Sequence, residues 1–479
     1  MNTFVNAVVN QEARTANGMK ARKSTANAVV DLFYNIGASR GKDVVPAFTA
    51  AFVQDPALAL RVAAWSRDVR GGAGERKLFR DILKYLEKTD LEACKALLKK
   101  VPELGRWDDI FVFESKEMKW EAYNMLGNAL REKNGLAAKW TPRKGPVALE
   151  IREFFGMSPK FYRKSLVEMT KVVETPMCAK EWDTINFSHV PSVAAARYKK
   201  AFNRNTPAYA AYVAELQKPV AERSADVKVN ASAVYPYDVL KGRIGSYSSK
   251  FDKTELDLIE AQWAALPNFV GEANILPLVD VSGSMTCRAG GPTSNSGTTC
   301  LEVAVSLGLY LADKNVGKFK DTFLNFSSKP DLVHLKGNIN EKINQMVQSH
   351  WEMGTNLNAA FDKILSVAKK GNVPAAEMPS MLLILSDMQF NQCVMHDDSA
   401  IEMIERKYAE AGYEMPKVVF WNLNASYGNA PVKFDKSGTA LVSGFSPAVV
   451  KPLLSGDLDG FTPESVMMKT IMDDRYAVM

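Results

Sequence analysis

Histidine, cysteine and long apolar runs are scarce in this chain of 479 residues, which has only four histidines and five cysteines. No apolar run approaches the roughly 18 residues that span a bilayer, so no membrane contact is expected. The cysteines are odd in number and lack any CxxC spacing, which favours reduced thiols in the cytoplasm over a disulfide framework. Cys287 and Cys300 bracket a Gly- and Ser-rich stretch and are the one pair whose close approach stays open.

The amino terminus and the charge distribution further limit the kind of protein that this sequence encodes. The first residues, MNTFVNAVVNQEART, lack a basic segment followed by an apolar core, so no signal peptide is predicted. Residues 1–270 contain 42 Lys and Arg against 31 Asp and Glu, a net charge of +11, whereas the remainder has a net charge of −5. This asymmetry favours a polyanionic partner for the first half, with a solvated Lys-rich surface as the alternative.

The first half has the apolar periodicity of short amphipathic helices, at about 44–66, 75–88, 117–131 and 251–265. Glycines and prolines separate these segments, and strand-like alternation is absent. Consecutive short helices predict an α-solenoid, although no repeat of fixed period is evident. Residues 218–250 are the most irregular segment, and a domain boundary is predicted near residue 268.

After that boundary, apolar strands alternate with helices. Strands are predicted at 275–279, 322–326, 332–335, 381–385 and 417–423, and helices at 301–312, 340–349, 357–369, 400–411 and 447–454. Strands that are apolar on both faces indicate a parallel sheet covered on both sides by helices. The predicted fold class is therefore α + α/β, with a helical domain over residues 1–267 and an α/β domain over residues 268–479.

Three loops of the second half place oxygen donors after strands, where open parallel sheets bind ligands. Asp280, Ser282 and Ser284 follow the first strand, Thr355 precedes a helix, and Asp387 follows the strand at 381–385. Two carboxylates and three hydroxyls are hard donors that suit Mg²⁺ or Mn²⁺. Two acids nearly neutralise one dication, so this site is also suited to an acidic ligand from a protein partner.

The Asp-Val-Ser-Gly-Ser string and its two companion loops resemble the metal-ion-dependent adhesion site of von Willebrand A domains. By that resemblance Ser282, Ser284 and Thr355 bind the metal directly, and Asp280 and Asp387 bind it directly or through water. The alternative is the same fold with an inactive site. No enzyme is predicted, because His334 and His350 are remote in sequence from the metal loops and no other base is positioned there.

Several strings of the first half are unusual together and resemble the Ro autoantigen (TROVE) family, most closely its plant and phage relatives. The resemblance extends from about residue 25 to residue 456 and includes Val442-Ser443-Gly444-Phe445-Ser446-Pro447. Its other strings are Arg67-Asp68-Val-Arg70-Gly71-Gly72-Ala-Gly74-Glu75-Arg76, Gly105-Arg106-Trp107-Asp108-Asp109, Ala138-Lys139-Trp140-Thr-Pro142, Phe161-Tyr162-Arg163-Lys164, Glu174 to Cys178, Val190-Pro191-Ser192 and Tyr198-Lys199-Lys200-Ala-Phe202.

The resemblance implies a ring of HEAT-like helical repeats that binds small structured noncoding RNAs and the single-stranded ends of defective RNAs. Cations would contact phosphates and aromatic side chains would stack on unpaired bases. The candidate RNA-binding residues are Arg67, Arg70, Arg76, Arg106, Lys139, Trp140, Arg143, Lys144, Tyr162, Arg163, Lys164, Lys199 and Lys200. Trp107 is interpreted as a core residue instead, and the Arg- and Gly-rich string at 67–76 is also compatible with a plain helix boundary.

These observations predict a cytoplasmic, non-enzymatic RNA-binding protein with a Mg²⁺- or Mn²⁺-binding A domain that contacts a partner or RNA. Two alternatives remain at this point. One is a metal-dependent protein-interaction scaffold, and the other is a virion or other structural component that binds no RNA.

Overall fold

The apolar periodicity of the first half corresponds to a series of short helices. The computed structural model describes residues 12–170, 172–224, 226–231, 234–244, 251–289, 297–349, 354–391, 400–425, 428–455 and 460–478. The helices before residue 268 are α1 Ala28–Ile36, α2 Val45–Gln54, α3 Pro56–Arg67, α4 Lys77–Thr89, α5 Leu91–Lys99, α6 Val101–Leu104, α7 Lys116–Arg131, α8 Gly135–Trp140, α9 Pro146–Phe154, α10 Pro159–Met169, α11 Glu174–Ala179, α12 Ser192–Asn205, α13 Pro207–Leu216, α14 Pro236–Val239 and α15 Lys253–Ala264.

The prolines that interrupt the periodicity of residues 44–66 start helices there. Pro46 and Pro56 lie in the first turns of α2 and α3, where a missing amide donor costs no helical hydrogen bond. The Asp55 carboxylate caps α3 by accepting a hydrogen bond of 2.9 Å from the amide of Leu58. The predicted single segment is therefore two helices, and each packs against its neighbours in the sequence, as an α-solenoid requires.

A short hairpin near the amino terminus corrects the expectation that the first half lacks strands. Strands β1 (Glu12–Arg14) and β2 (Lys20–Arg22) pair antiparallel. Each has only three residues, too few to produce a detectable alternation of apolar and polar side chains. The hairpin lies against the second half of the chain, where Gly18 bridges Asn391 and Arg22 bridges Ala430.

The second half contains one six-stranded sheet with helices around it. Its strands are β3 Ile275–Asp280, β4 Thr322–Phe326, β5 Leu332–His334, β6 Met381–Ser386, β7 Lys417–Asn422 and β8 Thr439–Ser443, and its helices are α16 Cys300–Lys314, α17 Ile339–Gln348, α18 Leu357–Gly371, α19 Ala400–Glu410, α20 Val450–Leu454 and α21 Pro463–Ile471. The strand order is β5-β4-β3-β6-β7-β8, and only β5 is antiparallel to its neighbour. The predicted α + α/β fold class is therefore confirmed, and β8 is a strand that the apolar pattern did not reveal.

The position of a ligand site follows from this strand order. The chain moves outward from β3 through β4 to β5, and then returns to the other side of β3 to form β6, β7 and β8. In such sheets the strand order reverses its direction between two neighbouring strands. The loops that follow these two strands lead to opposite faces of the sheet, so a crevice forms between them. Here those strands are β3 and β6, which pair in parallel from Ile275 with Met381 to Val279 with Leu385.

The two halves of the chain share one continuous apolar core, which includes side chains from Met19 to Tyr476. Helices α1 and α21 both pack on strand β8. A Cβ atom at Gly37, just after α1, would lie 2.8 Å from the backbone of Ser443 in β8, so this approach requires glycine. At the carboxyl end, Arg475 forms an ion pair of 2.6 Å with the buried Asp68 of the helical half.

The irregular segment predicted at 218–250 contains a 3-10 turn at Val220–Glu222 and helix α14, and residues 225, 232–233 and 245–250 lie outside the described residues. The predicted boundary near residue 268 falls between α15 and β3. Within the described ranges, no helix combines the length and the apolar character needed to cross a membrane.

Candidate metal centre and nucleic-acid surface

The oxygen donors predicted from the sequence lie at the crevice between β3 and β6. Asp280 is the last residue of β3, and Ser282 and Ser284 lie in the tight turn that follows it, where residues 283–286 form a 3-10 helix. Asp387 directly follows β6. Because β3 and β6 are neighbouring parallel strands, their carboxyl ends bring the two aspartates to one edge of the sheet.

A hydrogen-bond network holds these donors in place. The Asp280 carboxylate accepts a hydrogen bond of 2.9 Å from the Ser282 amide and one of 2.6 Å from the Ser386 hydroxyl. The hydroxyl oxygens of Ser282 and Ser284 are 3.0 Å apart, and Ser284 hydrogen-bonds the Asp387 carboxylate. Four of the five predicted ligands are therefore connected to one another.

Thr355 is connected to this group through the loop after Asp387. It is buried in the turn before α18, and its hydroxyl donates a hydrogen bond of 2.8 Å to the carbonyl of Gln389. The Asn391 amide donates in return to the Thr355 carbonyl at 2.9 Å. The hairpin near the amino terminus covers the same loop, since the Asn17 amide group donates to the Gln389 carbonyl at 2.6 Å.

Burial disfavours the negative charge of both aspartates. Burial, followed by the negative charge of Asp387, raises the pKa of Asp280 to about 7. Burial also raises the pKa of Asp387. Two buried carboxyl groups that repel each other are what a bound cation would stabilise, so the chemistry of the donor set fits a divalent metal.

Histidine and cysteine ligands are not part of this set. Among the described residues, no group of three or more His, Cys, Asp and Glu side chains is placed to hold a metal. The candidate centre has only two carboxylates, and its other donors are hydroxyls, so it is not such a group of three. Its hard oxygen donors suit Mg²⁺ or Mn²⁺ better than Zn²⁺. His350 lies outside the described residues, and His334 is in β5, the edge strand.

The positive charge of the helical half is concentrated between residues 131 and 204, which have fifteen Lys and Arg against seven Asp and Glu. Of the fourteen of these cations that the structure describes, Lys199 alone forms an ion pair, with Glu255 at 3.5 Å. Most of the others are exposed on helices α7 to α12. We call residues 131–204 the basic segment.

Ion pairs are more common among the cations before the basic segment. Lys77 pairs with Asp81, Lys95 pairs with Glu92 and Glu117, and Arg106 pairs with Asp108. This contrast reduces the predicted RNA-binding set, since Arg106 is already occupied. Arg70 and Arg76 are exposed and lie outside the basic segment.

Two predicted RNA contacts are corrected because their side chains are buried. Arg67 is 1% exposed, and its guanidinium binds the buried Asp109 carboxylate at 2.7 Å. Tyr162 is also 1% exposed, and its hydroxyl donates to the Pro142 carbonyl at 2.5 Å. Neither side chain is available to RNA, because the helical face that carries it points into the core.

Other aromatic side chains of the predicted strings differ in exposure. Trp107 is buried, as the sequence indicates. Trp140 is partly buried, and the Arg106 guanidinium lies over its ring at 3.7 Å from the centroid. Phe161 is 59% exposed beside Arg163 and Lys164 on α10. The sequence predicts Tyr162 and not Phe161 as a contact, although the buried Leu166, four residues after Tyr162 on the same face of the helix, distinguishes the two.

Several clefts open along the basic segment. A small one of about 340 Å³ lies between α9 and α10 and is lined by four cations, Arg143, Lys144, Arg152 and Arg163. The Nε atom of Arg152 is buried and has no hydrogen-bond partner among the described residues. A larger cleft of about 1160 Å³ is lined by the cations Arg131, Lys133 and Lys139. Ile185 and Val190, which belong to a separate apolar cluster, also line it.

Two family models and a viral protein match this chain. Residues 274–475 match a family described as a domain of unknown function, DUF7788, and residues 15–94 and 149–273 match another, DUF2828. The chain is 31% identical over 522 aligned residues to the uncharacterized protein L728 of Acanthamoeba polyphaga mimivirus, with 95% of this chain and 86% of that protein covered.

A solved structure shows a more distant likeness. The crystal structure of the Ro (RSR) protein of Deinococcus radiodurans superposes with a TM-score of 0.45 and 14% sequence identity, covering 89% of this chain and 93% of the other. This likeness is too distant to support an argument about function.

Proposed function

We propose that this chain, which belongs to the same family as the mimivirus protein L728, is an RNA-binding protein that holds single-stranded RNA on its basic segment. The observation that carries the proposal is the absence of ion-pair partners for the described cations of residues 131–204, Lys199 excepted. RNA rather than another polyanion is the proposed ligand, because several sequence strings of the first half resemble those of the Ro family.

Unpaired cations at this density favour binding to a polyanion. Each Lys or Arg that neutralises a phosphate releases condensed counterions, so binding gains free energy without sequence-specific contacts. Cations that already have a carboxylate partner gain less, because binding RNA must first separate the pair. The described cations of the basic segment therefore lack ion-pair partners more often than those of the earlier helices, and they also outnumber the acidic residues of the segment.

The exposed ring of Phe161 favours a single strand over a duplex. Unpaired bases can stack on an exposed aromatic ring, whereas the bases of a blunt duplex are not accessible to it. Arg163 and Lys164, two and three residues further along α10, are close enough in sequence to contact the flanking phosphates.

For the sheet edge we propose a Mg²⁺ or Mn²⁺ site held by Asp280, Ser282, Ser284, Thr355 and Asp387. The metal would supply positive charge that can bind a carboxylate of an acidic protein partner or a phosphate of RNA. The protein residues hold the site: Ser386 and the Ser282 amide orient the Asp280 carboxylate, and Gln389 and Asn391 position Thr355. The proposed function is binding and includes no catalytic step.

The test of RNA binding compares two variants with the same change in net charge. In one, the cations Arg143, Lys144, Arg163 and Lys164 are replaced by Gln. In the control, four cations that form ion pairs, Lys77, Lys88, Lys95 and Lys100, are replaced by Gln. Binding of a labelled single-stranded RNA is measured by fluorescence anisotropy between 50 and 300 mM salt.

We expect the first variant to bind roughly tenfold or more weakly at low salt, and its plot of log affinity against log salt to be less steep by up to about 2.8. The control should stay close to the wild type. Equal losses in both variants would show that only net charge matters, and absence of salt-dependent RNA binding by the wild type would refute the proposal.

The metal site has a separate test. Titration calorimetry with Mg²⁺ and with Mn²⁺ should give a binding heat for the wild type and none for Asp280→Ala. Equal heats for both proteins would contradict the assignment. The Asp280→Ala variant should keep the salt dependence of RNA binding, because the basic segment is unchanged. Metal binding without any RNA binding would favour a metal-dependent protein-interaction scaffold instead.

A further inference from the structure

Two cysteines lie opposite each other beside the turn that carries Ser282 and Ser284. The Sγ atoms of Cys287 and Cys300 are 3.7 Å apart. Cys287 directly follows the 3-10 turn Gly283–Thr286, and Cys300 is the first residue of α16. Both are free thiols in this structure.

A short antiparallel ladder sets the pair in register. The Cys300 amide donates a hydrogen bond of 3.0 Å to the Cys287 carbonyl, and the Ala289 amide donates one of 2.8 Å to the Thr298 carbonyl. Between these bonds Arg288 and Thr299 form an antiparallel bridge. Cys287 and Cys300 are therefore directly cross-strand residues.

This register allows a disulfide without movement of the backbone. Opposed residues of an antiparallel pair have Cα atoms about 4.5–5.5 Å apart, and disulfides span Cα separations of about 4.4–6.8 Å. The sulfur atoms must approach from 3.7 Å to about 2.05 Å. Because the Cα separation of such a pair already lies in the range of disulfides, the remaining approach falls to the side chains.

We propose that Cys287 and Cys300 form a redox modification site. Their two thiols are converted reversibly to an intramolecular disulfide, and the oxidant is a small disulfide such as oxidised glutathione. The Cys287 thiolate attacks one sulfur of the oxidant and releases one glutathione thiolate. The Cys300 thiol then loses its proton, attacks the Cys287 sulfur of the mixed disulfide and releases the second glutathione. Two protein thiols are oxidised, and one glutathione disulfide is reduced to two thiols.

The surroundings assign the first attack to Cys287. Cys287 is partly exposed, whereas Cys300 is buried, so only Cys287 is open to an oxidant from solution. The Asn424 side-chain amide also donates a hydrogen bond of 3.2 Å to the Cys287 sulfur.

Oxidation would constrain the turn that holds two of the oxygen donors. The Cys287 amide donates a hydrogen bond of 3.2 Å to the Ser284 carbonyl. A bond from Cys287 to Cys300 would therefore tie the Ser284 turn covalently to the start of α16. The turn and the two thiols all belong to this chain, so the oxidation requires no bound metal.

The test uses the full-length protein in glutathione buffers of increasing oxidised fraction, followed by acid quenching, alkylation, digestion and mass spectrometry. We expect a linked pair of peptides that contain Cys287 and Cys300, which disappears on return to reduced glutathione. Cys287→Ser should abolish this species. Cys300→Ser should stop at a mixed disulfide on Cys287. Cys178→Ser, which removes an exposed cysteine elsewhere, should leave the linked pair unchanged.

A melting experiment adds a readout that does not depend on peptide recovery. The oxidised wild type should melt several degrees above the reduced protein, because the cross-link lowers the entropy of the unfolded chain, and Cys287→Ser should show no such difference. A stable mixed disulfide on Cys287 in the wild type, a link to any other cysteine, or no reaction of either thiol would overturn the proposal. None of these outcomes depends on RNA or metal binding.

Discussion

At the scale of single residues, Asp280 of the candidate metal site lies in an environment that disfavours its negative charge. Asp280 is buried at the end of β3 and faces the charge of Asp387, which together raise its pKa to about 7. In the folded, metal-free protein Asp280 therefore holds a proton up to a higher pH than in the unfolded chain. The stability that this proton contributes is lost as the pH rises from about 4 through 7.

Asp280→Asn should remove this pH dependence. In chelator, the wild type should lose roughly 2–4 kcal/mol relative to the Asn variant between pH 4 and pH 8. Urea unfolding of both proteins at several pH values measures the difference. Added Mg²⁺ at pH 8 should stabilise the wild type and leave the variant unchanged. A difference in stability that does not change with pH would show that Asp280 is ionised throughout the range.

Phe161 and Tyr162 are adjacent aromatic residues with opposite environments, so their variants should have opposite effects. Phe161→Ala should weaken binding of single-stranded RNA by about 1–3 kcal/mol, the value of one stacked base, and leave stability nearly unchanged because the ring is exposed. Tyr162→Phe should lower stability by about 1 kcal/mol through the lost bond to Pro142, with RNA affinity unchanged. Anisotropy and thermal unfolding separate the two, and the reverse pattern would refute the role given to Phe161.

At the scale of elements, the packing of α1 on β8 joins the amino-terminal region to the sheet. The Ser443 hydroxyl donates a hydrogen bond of 2.9 Å to the Phe33 carbonyl and accepts one of 3.1 Å from the Gly37 amide. Gly37 has φ −67°, a conformation that alanine adopts freely. Any cost of a side chain at this position is therefore steric.

Gly37→Ala should destabilise the protein by about 1–3 kcal/mol, because the new Cβ would meet the Ser443 backbone at 2.8 Å. Ser443→Ala removes the two hydrogen bonds without adding volume, and it should cost about 1–2 kcal/mol. Chemical denaturation gives both values. A neutral or stabilising Gly37→Ala would mean that α1 and β8 are further apart in solution.

At the scale of the whole molecule, the amino-terminal hairpin, α1 and the carboxyl-terminal residues connect the two halves. Arg475 and Tyr476 both bind the buried Asp68, and Thr15 donates to the Phe390 carbonyl. The halves thus share core and polar contacts, although the predicted boundary near residue 268 separates two different kinds of structure.

A fragment of residues 268–479 should for this reason be less stable than the same region in the full chain. Without α1 the fragment exposes the face of β8, and without the hairpin it exposes the loop after Asp387. Thermal unfolding and solubility of the fragment test this expectation. A fragment that melts with the same midpoint as the full chain would show that the shared core contributes little.

Limited proteolysis tests the organisation of the intact chain. First cuts are expected within 218–250 or 286–299, which are rich in small or polar residues and lack helical periodicity. The helices over residues 77–131 should resist cleavage, since their apolar faces are buried. First cuts inside those helices would contradict the helical core described here.

The amino-acid sequence by itself determined part of the elements and the composition of the candidate site. Apolar periodicity located four helical segments of the first half, five helices of the second half and five of the sheet strands, because the period of a buried face is a local property of the chain. It did not locate other helices, such as α1, α12 and α21. The donors Asp280, Ser282, Ser284, Thr355 and Asp387 were found because loops after parallel strands share one edge of the sheet.

Only the tertiary structure decided which candidates are available. Arg67 and Arg163 are both arginines that the sequence predicts to contact RNA, yet one is buried against Asp109 and the other is exposed without an ion-pair partner among the described residues. The separation between Cys287 and Cys300 likewise depended on a register that no spacing reveals. The physical reason is that ion pairing, burial and cross-strand register depend on residues distant in the sequence, whereas helix and strand periodicity does not.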